Sequence, residues 1–295
     1  MLFSVHVGNR KWMFLIILSL IWGSSFILIK KGLIGLSPVQ LGALRILFSA
    51  IMIFAFGFHT IQKVTKEQWK WLVISGFIGT FFPAFLFAFA VTEIDSAVTS
   101  VLNSLTPLNT ILFGFAVFKI ASTKRQITGV IIGFIGTAML IASGAQMNPN
   151  QNYFYAGLVV LASILYGLNV NIIKRHLQEV KAITIAFGNF AAIFIPALVV
   201  LFSTGFFKEE ILNDSQVHIA LGYVLVLSVF GTAMAKVMFN KLVQMATPVF
   251  ASSVTYLIPI VALLWGILDG ESFGIMQVIA AGIILLGVYF SNRKN

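Results

Sequence analysis

The chain consists of long apolar runs separated by short polar stretches. A helix needs roughly 20 mostly apolar residues, each rising about 1.5 Å, to cross the ~30 Å hydrocarbon layer of a bilayer. The runs have this length and are apolar on all sides, whereas the strands of a barrel would alternate. We therefore expect an all-α membrane protein with ten transmembrane helices, at residues 11–29, 38–58, 71–90, 96–118, 127–142, 153–173, 183–203, 218–240, 248–268 and 275–291.

Composition agrees with this pattern, since the 295 residues are 59% hydrophobic and 9% charged and have a mean hydropathy of +1.00. These values exclude an ordinary soluble domain. The first apolar run is not followed by a small-residue cleavage site before the next run begins. We therefore expect the first run to remain as a membrane helix instead of being removed as a signal peptide.

The net charge of +10 is distributed unevenly among the predicted loops. Fourteen Lys and Arg residues fall on one side of the ten-helix arrangement and three, Lys30, Lys31 and Lys208, on the other; Arg45 and Lys236 lie inside helices and complete the 19. Membrane proteins keep such an excess on the cytoplasmic side. The distribution predicts cytoplasmic N and C termini in a plasma membrane, the bacterial inner membrane, and no nucleic-acid partner.

Several short motifs occur twice along the chain in the same order: Trp22-Gly23 and Tyr166-Gly167, Gly79-Thr80 and Gly231-Thr232, Pro107 and Pro259, Gln126 and Gln277, Gly136 and Gly287. They indicate an internal duplication, with halves at residues 1–146 and 147–295. Because each half has five helices, the second half must cross the membrane in the opposite sense. Such inverted repeats are typical of transporters that bind their substrate between the halves, near the middle of the bilayer.

A set of features recurs in a familiar order: Trp22-Gly23-Ser24-Ser25-Phe26 in the first helix, Arg45 in the second, residues 103–107 in the fourth, residues 256–259 in the ninth, and Glu271 just after it. In order and spacing the chain resembles the EamA-type branch of the drug/metabolite transporter superfamily, over nearly its whole length. The resemblance implies ten helices, with helices one to four and six to nine around a central cavity. Lys119, taken as the first-half equivalent of Glu271, and Lys236 depart from the family's pattern.

Arg45 and Lys236 are charges inside predicted spans, where insertion scales assign a cost of about 2.5–3.5 kcal/mol to each. On the eighth helix Thr232, Lys236 and Asn240 recur at every fourth residue and form one polar stripe. One interpretation is that the two cations face a solute. The other is that Lys236 extends along the helix to the membrane surface and that Arg45 clamps neighbouring helices.

Weaker polar stripes and aromatic residues complete the predicted cavity. The candidate substrate-binding residues are Trp22, Ser25, Arg45, Asn103, Tyr166, Asn169, Thr232, Lys236, Asn240 and Tyr256, and the candidate structural or gating residues are Pro107 and Pro259. Hydrogen bonding between helices, and kinks needed for packing alone, are the alternative explanations. Glycines in the fifth and tenth helices are expected to permit close packing within the chain.

The chain lacks a nucleotide-binding loop, cysteines, histidines at metal-ligand spacing and a convergent nucleophile and base. We therefore expect no catalytic residue, no enzyme activity, no cofactor and no metal. No Asp or Glu falls inside a predicted span. This favours facilitated diffusion or exchange over proton coupling through a carboxylate.

The leading hypothesis is a secondary transporter that exports amino acids or related zwitterions by alternating access. Its partners would be a small solute and membrane lipid, and it would be a monomer or a weak homodimer. Another organic solute, such as a vitamin, nucleoside or drug, is the alternative. A non-transporting membrane receptor is more remote, because the loops are too short to house a ligand-binding domain.

Overall fold

The computed structural model describes residues 2–119, 123–147, 150–271 and 274–292, and within these ranges the chain is all-helical. The long helical stretches are α1 (Leu2–Gly32), α2 (Pro38–Gly57), α3 (Lys66–Glu93), α4 (residues 96–116), α5 (Lys124–Met147), α6 (Ala156–His176), α7 (Ala182–Ser203), α8 (Ser215–Met245), α9 (Pro248–Leu268) and α10 (Ile275–Asn292). Short 3-10 turns at Phe58–Lys63 and Tyr153–Tyr155 and a helical turn at Glu209–Leu212 lie between them.

Seven helices of the described chain are long and apolar enough to cross a membrane, judged by length and composition: α1 from Arg10, α2, α3, α6, α7, α8 and α9. The apolar parts of α5 and α10 are shorter, at Ile127–Ser143 and Ile275–Gly287. The prediction of an all-α, multi-pass protein is confirmed. A ten-helix arrangement stays a prediction, and so does the division into halves, whose boundary adjoins residues 148–149, outside the described ranges.

Polar capping residues set where several helices begin. Thr65 accepts a hydrogen bond from the backbone of Gln68, whose side chain accepts one from the Thr65 backbone. This reciprocal pair satisfies two donors that a helix start would leave unpaired. The third helix therefore begins at Lys66, five residues before its predicted start, and a similar cap at Ser37 precedes α2.

Two helices are interrupted near their middles. The first segment of α4 ends at Asn103, and the second is Thr106–Ala116. In α9, the segment Pro248–Ser252 is followed by a 3-10 turn and then by Ile258–Leu268. Pro107 and Pro259 lie in the first turn after each interruption, where the missing N–H has no helical partner to lose. The structure thus places both prolines at discontinuities, and a gating role for them stays a prediction.

Two other helices contain π-helical turns, at Phe77–Phe81 in α3 and at Leu227–Met234 in α8. Each turn includes one copy of the repeated Gly-Thr motif. In α3 the cause is visible in the sequence, because Pro83 has no N–H to donate to the carbonyl of Gly79 four residues earlier. A π turn widens the helix locally and is frequent at functional sites.

Close contacts between helices occur in matching pairs. A Cβ added to Gly136 of α5 would lie 2.8 Å from the Ile284 backbone nitrogen in α10, and one added to Gly287 would lie 2.5 Å from that of Gly133. A shift of about 151 residues converts one contact into the other. Two more matching pairs of contacts occur. The contact of Gly23 with Val261 matches that of Gly167 with Asn109. The contact of Gly231 with Ser25 matches that of Gly79 with Asn169. Each pair is what two related halves that present the same surfaces to each other would produce.

Two residues that follow α4 and α9 have left-handed backbones. Lys119 has a φ of 55°, and Gly270 has a φ of 83°, so both backbones are left-handed. The two residues are separated by the same 151 positions as Gly136 and Gly287. By backbone conformation Lys119 corresponds to Gly270, whereas the offset of 152 residues that relates Pro107 to Pro259 pairs it with Glu271, and that pairing stays a prediction. A non-glycine residue carries a steric cost in this conformation.

Candidate functional site

A cavity of about 100 Å³ lies where α1, α2, α3, α4, α6, α8 and α9 meet. On the same volume scale one water molecule needs roughly 10–15 Å³, so the cavity has room for several waters or for a small organic solute in their place. Eight of the predicted substrate-binding residues line it: Trp22, Ser25, Arg45, Asn103, Tyr166, Asn169, Thr232 and Lys236.

The structure does not bring Asn240 and Tyr256 into the lining. Asn240 is fully buried and donates a hydrogen bond of 3.3 Å to the carbonyl of Ala182 at the start of α7. Tyr256 packs against the buried pair Leu105 and Leu108. A stripe at every fourth residue drifts by about 40° around a helix at each step, because four residues turn it by more than one revolution. Asn240 has thereby rotated from the cavity toward α7.

Lys236 lies in the cavity wall and is 7% exposed. Its ammonium donates a hydrogen bond of 3.2 Å to the carbonyl of Gly79, in the π turn of α3. The side chain therefore points across the bundle and not along α8 toward the surface. Extension of Lys236 along the helix to the membrane surface is therefore not observed, and contact with a solute stays a prediction.

Arg45 connects α2 to α8. Its Nε donates a hydrogen bond of 2.7 Å to the hydroxyl of Thr232, which also lies 3.3 Å from the carbonyl of Leu227. Arg45 thus both clamps two helices and lines the cavity. Thr232 and Lys236 are four residues apart on the same face of α8, which separates their Cβ atoms by about 5–6 Å. Both cations line the same cavity.

Aromatic residues form much of the remaining wall. The indole nitrogen of Trp22 donates to the carbonyl of Gly231 over 2.9 Å, in the π turn of α8, and its ring lies 5.1 Å from that of Phe239. Tyr166 stacks on Phe87 at a centroid distance of 5.9 Å. Aromatic surfaces of this kind accept apolar groups, and their faces also attract cations.

Three of the smaller polar residues of the lining are already bonded within the protein. The side-chain oxygen of Asn169 accepts from the hydroxyl of Ser75 over 2.6 Å, and Ser25 donates to the carbonyl of Ile21 over 2.9 Å. The side-chain oxygen of Asn103 accepts from Thr106 over 3.3 Å. Hydrogen bonding within the bundle therefore accounts for these positions as well as a solute would.

Sequence reasoning missed several lining residues, among them Gly79, Thr80, Phe87, Gly231 and Phe239. Two signals were available for the first pair. The repeat couples Thr80 to Thr232, which had been selected from its stripe, and Pro83 follows Gly79 at the spacing that frees a helical carbonyl. The aromatic residues gave no such signal, because phenylalanine is frequent throughout the apolar runs.

An ionic cluster joins α1, α4 and the segment after α9. Lys30 lies 2.7 Å from Asp269 and 2.9 Å from Glu271, and Lys31 pairs with Asp269. The Glu271 carboxylate is 4% exposed and accepts hydrogen bonds from Ser96 and from the Ala97 backbone at the start of α4, one as short as 2.7 Å.

This cluster affects the acidity of both carboxyls. Burial acts to raise the pKa of Glu271, but the hydrogen bonds from Lys30, Ser96 and Ala97 outweigh it and leave the pKa below its ordinary value. Hydrogen bonds from Lys30 and Lys31 lower the pKa of Asp269. Both groups are therefore ionised at neutral pH, and the cluster ties the three segments together there.

The model of the EamA-like transporter family matches residues 10–142 and 154–293. The uncharacterized inner membrane transporter YedA of Escherichia coli K12 is 27% identical over 278 residues, which cover 92% of this chain and 87% of that protein. Protein PecM of Dickeya dadantii is 27% identical over 288 residues, covering 93% and 92%.

A more distant relative has a specific name. The S-adenosylmethionine/S-adenosylhomocysteine transporter of Chlamydia muridarum is 20% identical over 285 residues, covering 93% of this chain and 89% of that protein. Among solved structures, one crystal structure superposes with a TM-score of 0.67 at 16% identity, over 97% of this chain and 96% of the other. At that identity the likeness shows a shared fold alone.

Proposed function

Because the chain belongs to the EamA-like transporter family, we propose that it is a secondary transporter that carries small organic solutes by alternating access. The solutes that we favour are amino acids and related zwitterions, moved out of the cell. One observation carries this choice. The cavity lining contains two cations, Arg45 and Lys236, and aromatic walls, while no Asp or Glu of the described chain is part of it.

The charge balance of the lining favours a solute with an anionic group. A buried cation is costly unless a charge or several strong acceptors satisfy it, and the described residues supply Lys236 with one backbone carbonyl. A solute carboxylate would supply charge-assisted hydrogen bonds, which are about twice as strong as neutral ones. The faces of Trp22 and Tyr166 would then receive the apolar part of the solute or its ammonium group.

For the mechanism we propose ten spans in two inverted halves, residues 1–146 and 147–295, that rock about the cavity. The reciprocal contacts between α5 and α10 support this arrangement. Two antiparallel helices that meet through equivalent residues are related by a twofold axis perpendicular to both helices, as inverted halves require. The family model, which matches two segments of similar length, agrees with it. Pro107 and Pro259 would mark the hinges of the two interrupted helices.

For location we propose the inner membrane of a bacterium, with both termini cytoplasmic, as the basic loop residues predict. The membrane named for the relative from Escherichia coli K12 supports the location. The absence of a carboxylate from the described cavity lining supports facilitated diffusion or exchange. The proposed working unit is a monomer or a weak homodimer surrounded by lipid, with no cofactor.

The substitution Lys236→Met tests the role of the cavity cation. Met keeps most of the length of the side chain and removes its charge. We expect exchange of labelled amino acids in proteoliposomes to fall by about tenfold or more, the equivalent of one lost charge-assisted hydrogen bond. Exchange of the corresponding amino-acid amides, which lack the carboxylate, should fall much less.

Lys241→Met is the matched control, since Lys241 lies on the same helix and is exposed. It should exchange amino acids at the wild-type rate at equal protein content. Equal exchange by wild type and Lys236→Met would remove Lys236 from the site and leave Arg45 as the basic candidate. If liposomes that contain the wild-type protein exchange no amino acid faster than empty liposomes do, amino acids are excluded as substrates.

The name of the relative from Chlamydia muridarum supports a second candidate, a solute that contains a nucleoside. Such a solute also has a planar ring for the aromatic wall, and S-adenosylmethionine carries a carboxylate as well. Exchange of labelled S-adenosylmethionine in the same liposomes, without exchange of amino acids, would replace the first candidate by the second.

A further inference from the structure

The hydroxyl of Thr80 is buried and has no hydrogen-bond partner within the described part of the chain. The residue is 7% exposed and belongs to the lining of the cavity. Native proteins pair nearly all of their buried polar groups, so an unpaired hydroxyl in a cavity wall requires a reason. A group that is satisfied only when the cavity is occupied is such a reason.

The neighbouring residue connects Thr80 to the cavity cation. Gly79 cannot receive the regular helical hydrogen bond, because Pro83 lacks the N–H that would donate it. The Gly79 carbonyl instead accepts a hydrogen bond of 3.2 Å from the Lys236 ammonium. Among the described residues, this carbonyl is the acceptor for that ammonium. Lys236 has three donors and uses one of them within the described residues, on the carbonyl of the residue that precedes Thr80. Lys236 and Thr80 line the same cavity.

The equivalent threonine of the second half is already occupied. Thr232 accepts from Arg45 over 2.7 Å. At the offset of 144 residues that relates Trp22 to Tyr166, the residue matching Arg45 is Asn189. Asn189 donates over 2.7 Å to the carbonyl of Leu72 and does not contribute to the cavity lining. The two halves therefore differ at this point: Thr232 is bonded to Arg45, whereas the buried hydroxyl of Thr80 has no partner among the described residues.

We infer that Thr80 and Lys236 together bind a carboxylate of the solute, one oxygen accepting from the ammonium and the other from the hydroxyl. The inference rests on the proposed function, since it takes the cavity to be the solute site. A threonine in a helix has two accessible χ1 rotamers, so its hydroxyl turns toward a ligand without moving the backbone. In this assignment Arg45 holds Thr232 and is not the first contact of the carboxylate.

Benzoate is a suitable probe, because its ring suits the aromatic wall, and benzamide is its neutral counterpart of the same shape. We expect benzoate to bind the purified protein in detergent micelles more tightly than benzamide does, by titration calorimetry. Thr80→Val should weaken benzoate binding by about tenfold, as expected for a lost hydrogen bond to a charged group. Thr80→Ser keeps the hydroxyl and should restore the affinity.

If Thr80 instead had a structural role, Thr80→Val should lower the Tm of the unliganded protein. Because Thr80→Val removes an unpaired buried hydroxyl, the Tm of the unliganded protein should not fall. Thr137→Val is the control, since Thr137 is also buried but donates to Gly133 on its own helix, outside the cavity lining. Its affinity for benzoate should equal that of the wild type.

Three results would overturn the inference: equal benzoate affinity in wild type and Thr80→Val, benzamide binding as tight as benzoate binding, or no saturable benzoate binding by the wild type. Failure of the proposed function would be seen in a different experiment, the transport assay in liposomes. Benzoate binding that depends on Thr80, in a protein that moves no solute in liposomes, would keep the carboxylate site and refute transport.

Discussion

Two lysines in this chain have contrasting surroundings. Lys30 contacts the carboxylates of Asp269 and Glu271, so its charge is neutralised within the protein. Lys236 contacts a backbone carbonyl, and no carboxylate of the described cavity lining is available to it. A charge paired inside the protein contributes to the fold, whereas an unpaired charge beside a cavity remains available to a ligand.

Substitution of Glu271 tests the structural half of this contrast. Glu271→Gln removes the charge that receives hydrogen bonds from Lys30 and from the start of α4. We expect the free energy of unfolding to fall by about 1.5–3 kcal/mol, the usual contribution of hydrogen bonds to a charged group. Thermal unfolding of the purified protein measures it. Glu210→Gln, at an exposed position, should change stability by less than about 0.5 kcal/mol.

The same cluster predicts a pH dependence. Since the pKa of Glu271 is lowered in the folded protein, the unfolded state binds protons first as the pH falls. The stabilisation is therefore present at neutral pH and is lost progressively below the ordinary glutamate pKa of about 4.3. Wild type and Glu271→Gln should converge in Tm at low pH. A constant difference between them down to pH 3 would contradict the assignment.

At the scale of the helix, local departures from regular geometry lie around the cavity. The π turns of α3 and α8 place the carbonyls of Gly79 and Gly231 where Lys236 and Trp22 can donate to them. The repeated Gly-Thr motif could be found in the sequence, and Pro83 accounts for the π turn of α3, but no residue of the sequence marks the π turn of α8. A single extra residue per turn leaves the apolar run unbroken, so a hydrophobic pattern gives no sign of it.

The contact between α5 and α10 provides a test of helix packing. A Cβ on Gly287 would lie 2.5 Å from the Gly133 nitrogen and 2.6 Å from the Gly129 oxygen, so Gly287→Ala forces the two backbones apart. We expect a loss of about 1–3 kcal/mol in stability, the usual cost of overpacking, measured by thermal unfolding.

Gly282 on the same helix is the matched control, because a Cβ there meets nothing within 4 Å. Gly282→Ala should be neutral or should stabilise the protein by up to about 1 kcal/mol through helix propensity. Equal melting temperatures for Gly287→Ala and wild type would show that α5 and α10 do not pack closely in solution.

At the scale of the whole molecule, hydrophobic length was the most informative property of the sequence. Seven of the ten spans that it predicts coincide with helices long and apolar enough to cross a membrane, because burial in lipid demands such helices whatever their neighbours. It could not locate the interruption of α4 at Ser104 and Leu105, since both flanking segments are apolar. Charge and polarity likewise selected eight lining residues but also Asn240, whose direction depends on the local turn of α8.

Alternating access requires that one cavity opens in turn to both sides of the membrane, and labelling of a single cysteine tests this property. The chain has no cysteine, and Ser25→Cys places a nearly isosteric thiol in the cavity lining. A small, membrane-impermeant thiol reagent should modify it in both right-side-out and inside-out vesicles, while the unsubstituted protein stays unlabelled. Modification from one side alone would contradict alternating access and favour a receptor.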